Sequence, residues 1–357
     1  MDIPVTLIIP VYKPKLPDLK RCLNSILTQR SMPSQIIIID DGNQNDELDS
    51  VIQKFSTQVP KAVEVCYVQF PQNRGVSISR NEGIKNAKFK IIGFIDADDW
   101  LHPDYFYKLY EPFEKASSDK DIGIVACSCY GVRKDKYGKV KHVRNHFYMN
   151  DDGQDYISPN TFVKMLINPI YMREGTEIDT AIGVPWGKFF NFNVIKNIWF
   201  NPDLKRMQDN IFNHTIVVNC PNITIKYIDE PLYYYNTEHI IQYTNSYEED
   251  ITVWINIIKE RAKLIRIYND AEIYKFFHEE VLRIVHQMIL GKKFFHPDNP
   301  DRRGSFKILK ELLRNAEIRD VLKKEVKNSL PHRNLMYKLL LMGLITPAYV
   351  VYKLRNN

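Results

Sequence analysis

Apolar residues along the first hundred positions alternate between two spacings. Val5 to Pro10 is a short β-rich run. Leu19, Cys22, Leu23, Ile26 and Leu27 then recur at helical spacing, with Pro17 and Asp18 as start signals. Ile36 to Ile39 places four β-branched residues in a row. A strand apolar on both faces is expected at the centre of a parallel sheet covered by helices. Val63 to Val68 and Ile91 to Ile95 supply a third and a fourth strand, with helical stretches near 46–58 and 76–87. The order β-α-β-α-β-α-β predicts an α/β fold built on a doubly wound, mostly parallel sheet with right-handed crossovers.

From about 100 to 245 the pattern is mixed. Ile122 to Cys129 reads as a strand, and Phe162 to Ile167 and Gln208 to Val218 read as helices. Tyr227-Ile228 and Tyr233 to Tyr235 read as closing strands. Beyond about 248 the chain turns helical, with Ile251, Trp254, Ile255, Ile258, Ala262 and Ile265 on one amphipathic face. Residues 291–304 hold Gly, Pro and charges and read as a loop, with two or three helices after it. The expected organisation is an α/β domain over 1–245 and a helical region over 246–357.

Composition narrows the function classes. With 357 residues, 44% hydrophobic and 26% charged, the chain is ordinary globular material, which excludes disordered and collagen-like classes. Five cysteines without a CxxC pair argue against a disulfide framework and a zinc site. No basic leader precedes the first strand, so a reducing, cytoplasmic setting is expected. The net charge of +6 suits an acidic substrate or an anionic membrane surface. No dense Arg/Lys stripe or nucleic-acid motif accompanies it, so no nucleic-acid partner is expected.

Ligands of parallel α/β sheets bind beyond the carboxyl ends of the strands. Asp96-Ala97-Asp98-Asp99 follows the fourth strand. Asp96 and Asp98, two apart, point to one side of an extended backbone and suit a hard divalent cation, Mg²⁺ or Mn²⁺. Such an ion bridges a diphosphate and stabilises it as a leaving group. An Asp-rich turn capping the next helix has the same composition. Asn73 to Asn81 (NRGVSISRN) puts Gly75 at the entry to a helix, with Arg74 and Arg80 as phosphate-type donors. A plain helix N-terminus with two solvated arginines would look alike. Asp40-Asp41-Gly42 offers a carboxylate for a base N–H and a glycine for a sharp turn, or only the turn.

Together, VTLIIPVYKP, IIIIDDGNQND and NRGVSISRNEGIKNAKFKIIGFIDADDW resemble the family 2 glycosyltransferases of GT-A fold, from about 4 to 110 and more weakly to about 245. The resemblance implies inverting transfer from a nucleotide-diphospho-sugar, a UDP-sugar, to a saccharide or lipid-linked saccharide of a surface polysaccharide. It implies nucleotide contacts from Pro10, Tyr12 and Asp41, and donor binding by Arg74, Gly75, Arg80, Asn81 and Asp96. Asp98 becomes the direct metal ligand beside Asp96, with His239 near the metal or diphosphate. Asp209 matches the general base; the preceding family Glu is Gln208 here. Trp186 and Lys188, in PWGKFF, match the acceptor pocket. Two alternatives remain. A sugar nucleotidyltransferase is opposed by the absence of a Gly-rich loop after the first strand. A non-catalytic nucleotide-sugar-binding module is favoured only by Gln208.

Leu335 to Leu354 is the most apolar window, too short to span a bilayer and flanked by Lys and Arg. It reads either as an interfacial segment, which would place the protein peripherally at the inner membrane face, or as a helix packed on its own domain.

Overall fold

The computed structural model describes residues 2–116, 122–134, 139–145, 155–168, 182–238, 247–248, 250–328 and 331–356. The chain divides into two compact units, Met1–Ile241 and Gln242–Asn357. The boundary expected at 245/246 falls outside the described residues.

In the first unit the elements run β1 (Asp2–Val11), α1 (Leu16–Leu27), β2 (Met32–Asp40), α2 (Asp46–Gln58), β3 (Glu64–Gln69), α3 (Val76–Lys85) and β4 (Ile91–Phe94). They continue as β5 (Trp100–Leu101), α4 (Tyr105–Lys115), β6 (Ile124–Lys134), β7 (Val140–Asn145), β8 (Tyr156–Ile157) and α5 (Pro159–Ile167). β9 (Lys188–Asn191), α6 (Phe192–Ile195), α7 (Gln208–Asn219) and β10 (Ile225–Asn236) complete the unit. Among the described residues the strands form one sheet in the order β3-β2-β1-β4-β9-β6-β10-β5, with β7 on β6 and β8 on β10.

β1 pairs in parallel with β2 and β4, and β2 with β3. Ile36 to Ile39 are wholly buried, as a strand with helices over both faces requires. β9 departs from the simple alternation. It runs antiparallel between β4 and β6, joining the parallel strands β3-β2-β1-β4 to the parallel pair β6/β10. The two closing strands expected at Tyr227-Ile228 and Tyr233 to Tyr235 are one strand. Its register shifts between Ile228 and Tyr233, around Pro231, which has no N–H for the ladder.

Helix starts follow local chemistry. Asn45 Oδ1 accepts from the Glu47 and Leu48 N–H groups at the start of α2. Pro17 and Asp18 open α1, whose buried face is Leu19, Cys22, Leu23 and Ile26. All five cysteines are free thiols, and Cys127 and Cys129 are buried on β6.

The second unit is helical: α8 (Thr252–Ile265), α9 (Ala271–Arg283), a π-helical segment (Ile284–Phe294), α10 (Arg302–Leu312), α11 (Ala316–Asn328), α12 (Pro331–Leu341) and α13 (Ile345–Asn356). The loop expected at 291–304 is shorter, because the π-helical segment runs through Lys292 and Lys293. Asp301 caps α10, accepting from Gly304 N–H at 2.9 Å. Inside this unit Arg261 and Glu280 form a two-point ion pair (3.1 and 3.3 Å) with both side chains essentially unexposed.

Candidate active site

The carboxyl ends of β1, β2 and β4, with the N-termini of α3 and α7, enclose a cavity of ≈ 690 Å³. β1 delivers Pro10, Val11 and Tyr12, and the chain turns at Lys13 with a left-handed φ of 44°. Lys13 N–H donates to Asn43 Oδ1, and Asp40 Oδ1 accepts from Asn43 N–H, tying the first two strand ends together. Gly42 has φ 80°, and a Cβ there would lie 2.3 Å from the backbone carbon of Gln72. The 40–45 and 70–75 loops are therefore packed backbone to backbone, which only glycine permits.

Asp41 is nearly buried and has its own structural task. Its carboxylate accepts from Arg74 N–H (2.6 Å), Gly75 N–H (2.9 Å) and Asn73 Nδ2 (2.8 Å). Three acceptor positions of about four are thus spent on the loop that opens α3, and one remains toward the cavity that Asp41 lines.

The centre of the site is Arg80, on α3, with its side chain 3% exposed. Nη1 donates to Asp209 Oδ1 at 2.5 Å, and Nη2 donates to Asp96 Oδ1 at 2.9 Å. Its guanidinium lies 5.3 Å from the ring of Phe200, itself stacked on Phe212 at 3.9 Å. One cation thus joins the acid at the end of β4 to the acid in the first turn of α7. Burial opposes the Arg80 charge, but Asp209 and Asp96 outweigh it and raise its pKa. Asp209 is pushed up to about 6, first by burial, against the lowering effect of Arg80 and reinforced by the charge of Asp96. Met207, just before α7, has a left-handed φ of 54°, a conformation that costs a non-glycine residue about 1–2 kcal/mol. Beside Asp209, Gln208 lines the cavity, and its Oε1 is buried with no hydrogen-bond partner among the described residues.

The three acids after β4 divide their roles. Asp96 meets Arg80 and Asp98 lines the same cavity. The Asp98 carbonyl accepts from Arg21 Nη2 (3.1 Å), whose guanidinium stacks 3.9 Å over Trp100. Asp99 is buried and structural: Tyr233 O–H donates to Oδ2 (2.6 Å) and Asn236 N–H to Oδ1 (2.8 Å), hooking β10 onto the β4–β5 turn. Burial, then the charges of Asp96 and Asp98, push its carboxyl well above the usual range.

Other expected site residues lie elsewhere. Asn81, expected at the donor, pairs reciprocally with the Phe200 backbone (Nδ2 to O 2.8 Å, N to Oδ1 2.9 Å) and does not line the cavity. Arg74 meets Asp41 through its backbone, while its side chain lies 4.9 Å over Phe70. Arg80, expected on phosphate, is held by two carboxylates. Trp186, expected to stack on a sugar, is 2% exposed and stacked on Tyr233 at 4.4 Å. Lys188, expected to meet an anion, is wholly buried on β9. Its Nζ donates to the Val184 carbonyl (2.7 Å), and burial lowers it to about 7. The reason is common to both: β9 occupies the middle of the sheet, so its neighbourhood faces core. His239 lies outside the described residues. Lys13, Lys15, Asp18 and Asn73 also line the cavity and were not among the expected site residues. Lysines flanking Pro14 directly after the first strand were the available signal.

Among the described residues no cluster of three or more His, Cys, Asp or Glu forms a metal cage. Asp98 and Asp96 alone fit a cation that takes one or two carboxylates and completes its shell with phosphate oxygens and water, as Mg²⁺ does. Five carboxylates line the cavity (Asp18, Asp41, Asp96, Asp98, Asp209) against three cationic side chains, Lys13, Lys15 and Arg80. Such a balance accommodates an anionic diphosphate only with added positive charge.

Acids and the N-terminus of α3 thus converge beyond the strand ends of a mixed, mostly parallel α/β sheet. The chain is similar in fold over 98% of its length to a crystal structure of Staphylococcus aureus TarS 1–349 in complex with UDP-GlcNAc, covering 91% of that chain (TM-score 0.66, 15% identity). Residues 6–178 match the model of glycosyl transferase family 2. It is 34% identical over 228 residues to the poly(ribitol-phosphate) beta-N-acetylglucosaminyltransferase TarP of Staphylococcus aureus, covering 62% of this chain and 60% of TarP. It is 24% identical over 236 residues to the glycosyltransferase GlyA of Streptococcus pneumoniae, covering 66% of this chain and 31% of GlyA. The chain thus spans about a third of the length of the pneumococcal relative.

Proposed function

We infer that this chain is an inverting, divalent-metal-dependent glycosyltransferase that moves a sugar from a UDP-sugar to a saccharide or lipid-linked saccharide acceptor of a cell-surface polymer. The observation that carries the reading is the joint lining of one cavity by Asp96, Asp98 and Asp209, with Arg80 linking the first to the last. The UDP-GlcNAc bound in TarS and the N-acetylglucosaminyl transfer named for TarP support UDP-GlcNAc as the first donor to test.

Pro10 and Tyr12 flank the nucleotide, and the remaining acceptor position of Asp41 suits a base N–H. Lys13 and Lys15 attract the diphosphate by charge. Asp98 and Asp96 would hold a divalent cation, which would supply the positive charge that a departing diphosphate needs. Asp209, held by Arg80, takes the proton of the acceptor hydroxyl. That oxygen then bonds to the anomeric carbon, the bond from this carbon to the diphosphate breaks, and its electron pair leaves with the nucleoside diphosphate.

The test is UDP release from UDP-GlcNAc and related donors with Mn²⁺ and a saccharide acceptor, comparing the parent with Asp209→Asn. The expected result is turnover by the parent and a fall of about 10²–10⁴-fold in the variant, while UDP still raises the melting temperature of both. Stabilisation by UDP with no turnover in the parent would instead identify a binding module. Equal turnover by both would remove Asp209 from the base position.

A further inference from the structure

We propose that the outer face of α12 and α13 docks in the interface of an anionic lipid membrane. These helices are apolar on two sides. Met336, Leu340, Ile345 and Ala348 are buried within the helical unit. The opposite side, which a helix on a water-facing surface ordinarily fills with polar residues, carries Leu335 (45% exposed), Val350 (52%) and Leu354 (79%), and the turn between the two helices adds Met342 (70%) and Leu344 (47%). On α13, Pro347, Val350 and Leu354 stand at i, i+3 and i+7, so they form one stripe about 10 Å long. Exposed Lys353 and Arg355 border that stripe.

Charge selects the occupant. Between Val326 and Asn357 the chain has Lys327, Arg333, Lys338, Lys353 and Arg355 and not one Asp or Glu. An apolar stripe edged by basic residues complements a layer whose headgroups are anionic and whose next layer is hydrocarbon. A second copy of the chain would bring Lys353 and Arg355 against the same charges of its partner, so self-association through this face is disfavoured. α13 has 12 residues, about 18 Å of helix, well below the hydrocarbon thickness of about 30 Å. Among the described residues no helix is long and apolar enough to cross a membrane. The segment therefore lies in the interface rather than across it. This inference concerns the helical unit alone and is independent of the active-site reading.

The experiment is co-sedimentation of the full chain with vesicles of phosphatidylcholine alone and of phosphatidylcholine with phosphatidylglycerol, at low and high salt. Two variants at exposed positions accompany it, Val350→Asp/Leu354→Asp and Lys353→Glu/Arg355→Glu, with circular dichroism to confirm their fold. The parent is expected to pellet with the anionic vesicles, and less at high salt. Both variants should partition more weakly, Lys353→Glu/Arg355→Glu by roughly 30-fold or worse, since each basic side chain near the surface strengthens partition about fivefold. Equal recovery in the supernatant with both vesicle types overturns the proposal. So does unchanged pelleting of both variants. So does an oligomer in sedimentation velocity that Val350→Asp/Leu354→Asp dissolves while the parent ignores vesicles, which would make a second copy the occupant.

Discussion

Replacing Arg80 with glutamine removes the one cation that touches both Asp96 and Asp209 while keeping a side chain of similar reach. In the parent, burial and the charge of Asp96 raise Asp209, and Arg80 holds it down near 6. The contact being lost is a charge-assisted hydrogen bond of 2.5 Å from a guanidinium 3% exposed to a carboxylate 20% exposed. Such bonds contribute about 1.5–3 kcal/mol. At 1.36 kcal/mol per pKa unit, that moves Asp209 up by about 1–2 units, to roughly 7–8. A general base works ionised, so activity rises with pH through its pKa. At pH 7 the ionised fraction should fall from about nine-tenths to between a half and a tenth. The assay is kcat/KM for UDP release from pH 5 to 9, which reports groups of the free enzyme. The expected result is an acid limb displaced upward by one to two units, with most activity recovered near pH 9. An acid limb that overlays the parent's, with a loss constant across pH, would refute the reasoning and assign Arg80 to donor binding alone.

Asp98→Ala should lower turnover about 100-fold or more, because several kcal/mol of charge stabilisation leave with the ligand, and EDTA on the parent should match it; full turnover in EDTA refutes the metal role. Trp186→Phe should lower the melting temperature, as about 1 kcal/mol of ring pairing with Tyr233 is weakened, while the acceptor KM stays unchanged; a raised KM at unchanged stability would return Trp186 to the acceptor site. Arg261→Met leaves Glu280 buried without its partner and should destabilise the helical unit by about 3–5 kcal/mol. The double variant Arg261→Met/Glu280→Leu should recover much of that in a urea melt, and a single variant as stable as the parent would contradict the account.

Sequence by itself determined the N-terminal half of the sheet. Strand and helix periods are local, so Ile36 to Ile39 announced a covered parallel strand, and the polar residues after each strand had to stand at one rim. Pro10, Tyr12, Asp41, Asp96 and Asp98 were legible for that reason. Gln208 to Val218 was equally legible as a helix. What faced what across long separations was not. Arg80 and Asp209 are 129 residues apart, and Asn81 and Phe200 are 119 apart; no periodicity links such pairs. Only the tertiary structure decided that Arg80 binds two carboxylates, that Asp99 is a buried hook for Tyr233, and that Trp186 and Lys188 belong to the core. The physical reason is the antiparallel insertion of β9 between β4 and β6. It buries side chains whose composition alone suited an open pocket, and the fold sets α7 where one guanidinium bonds Asp96 and Asp209 together.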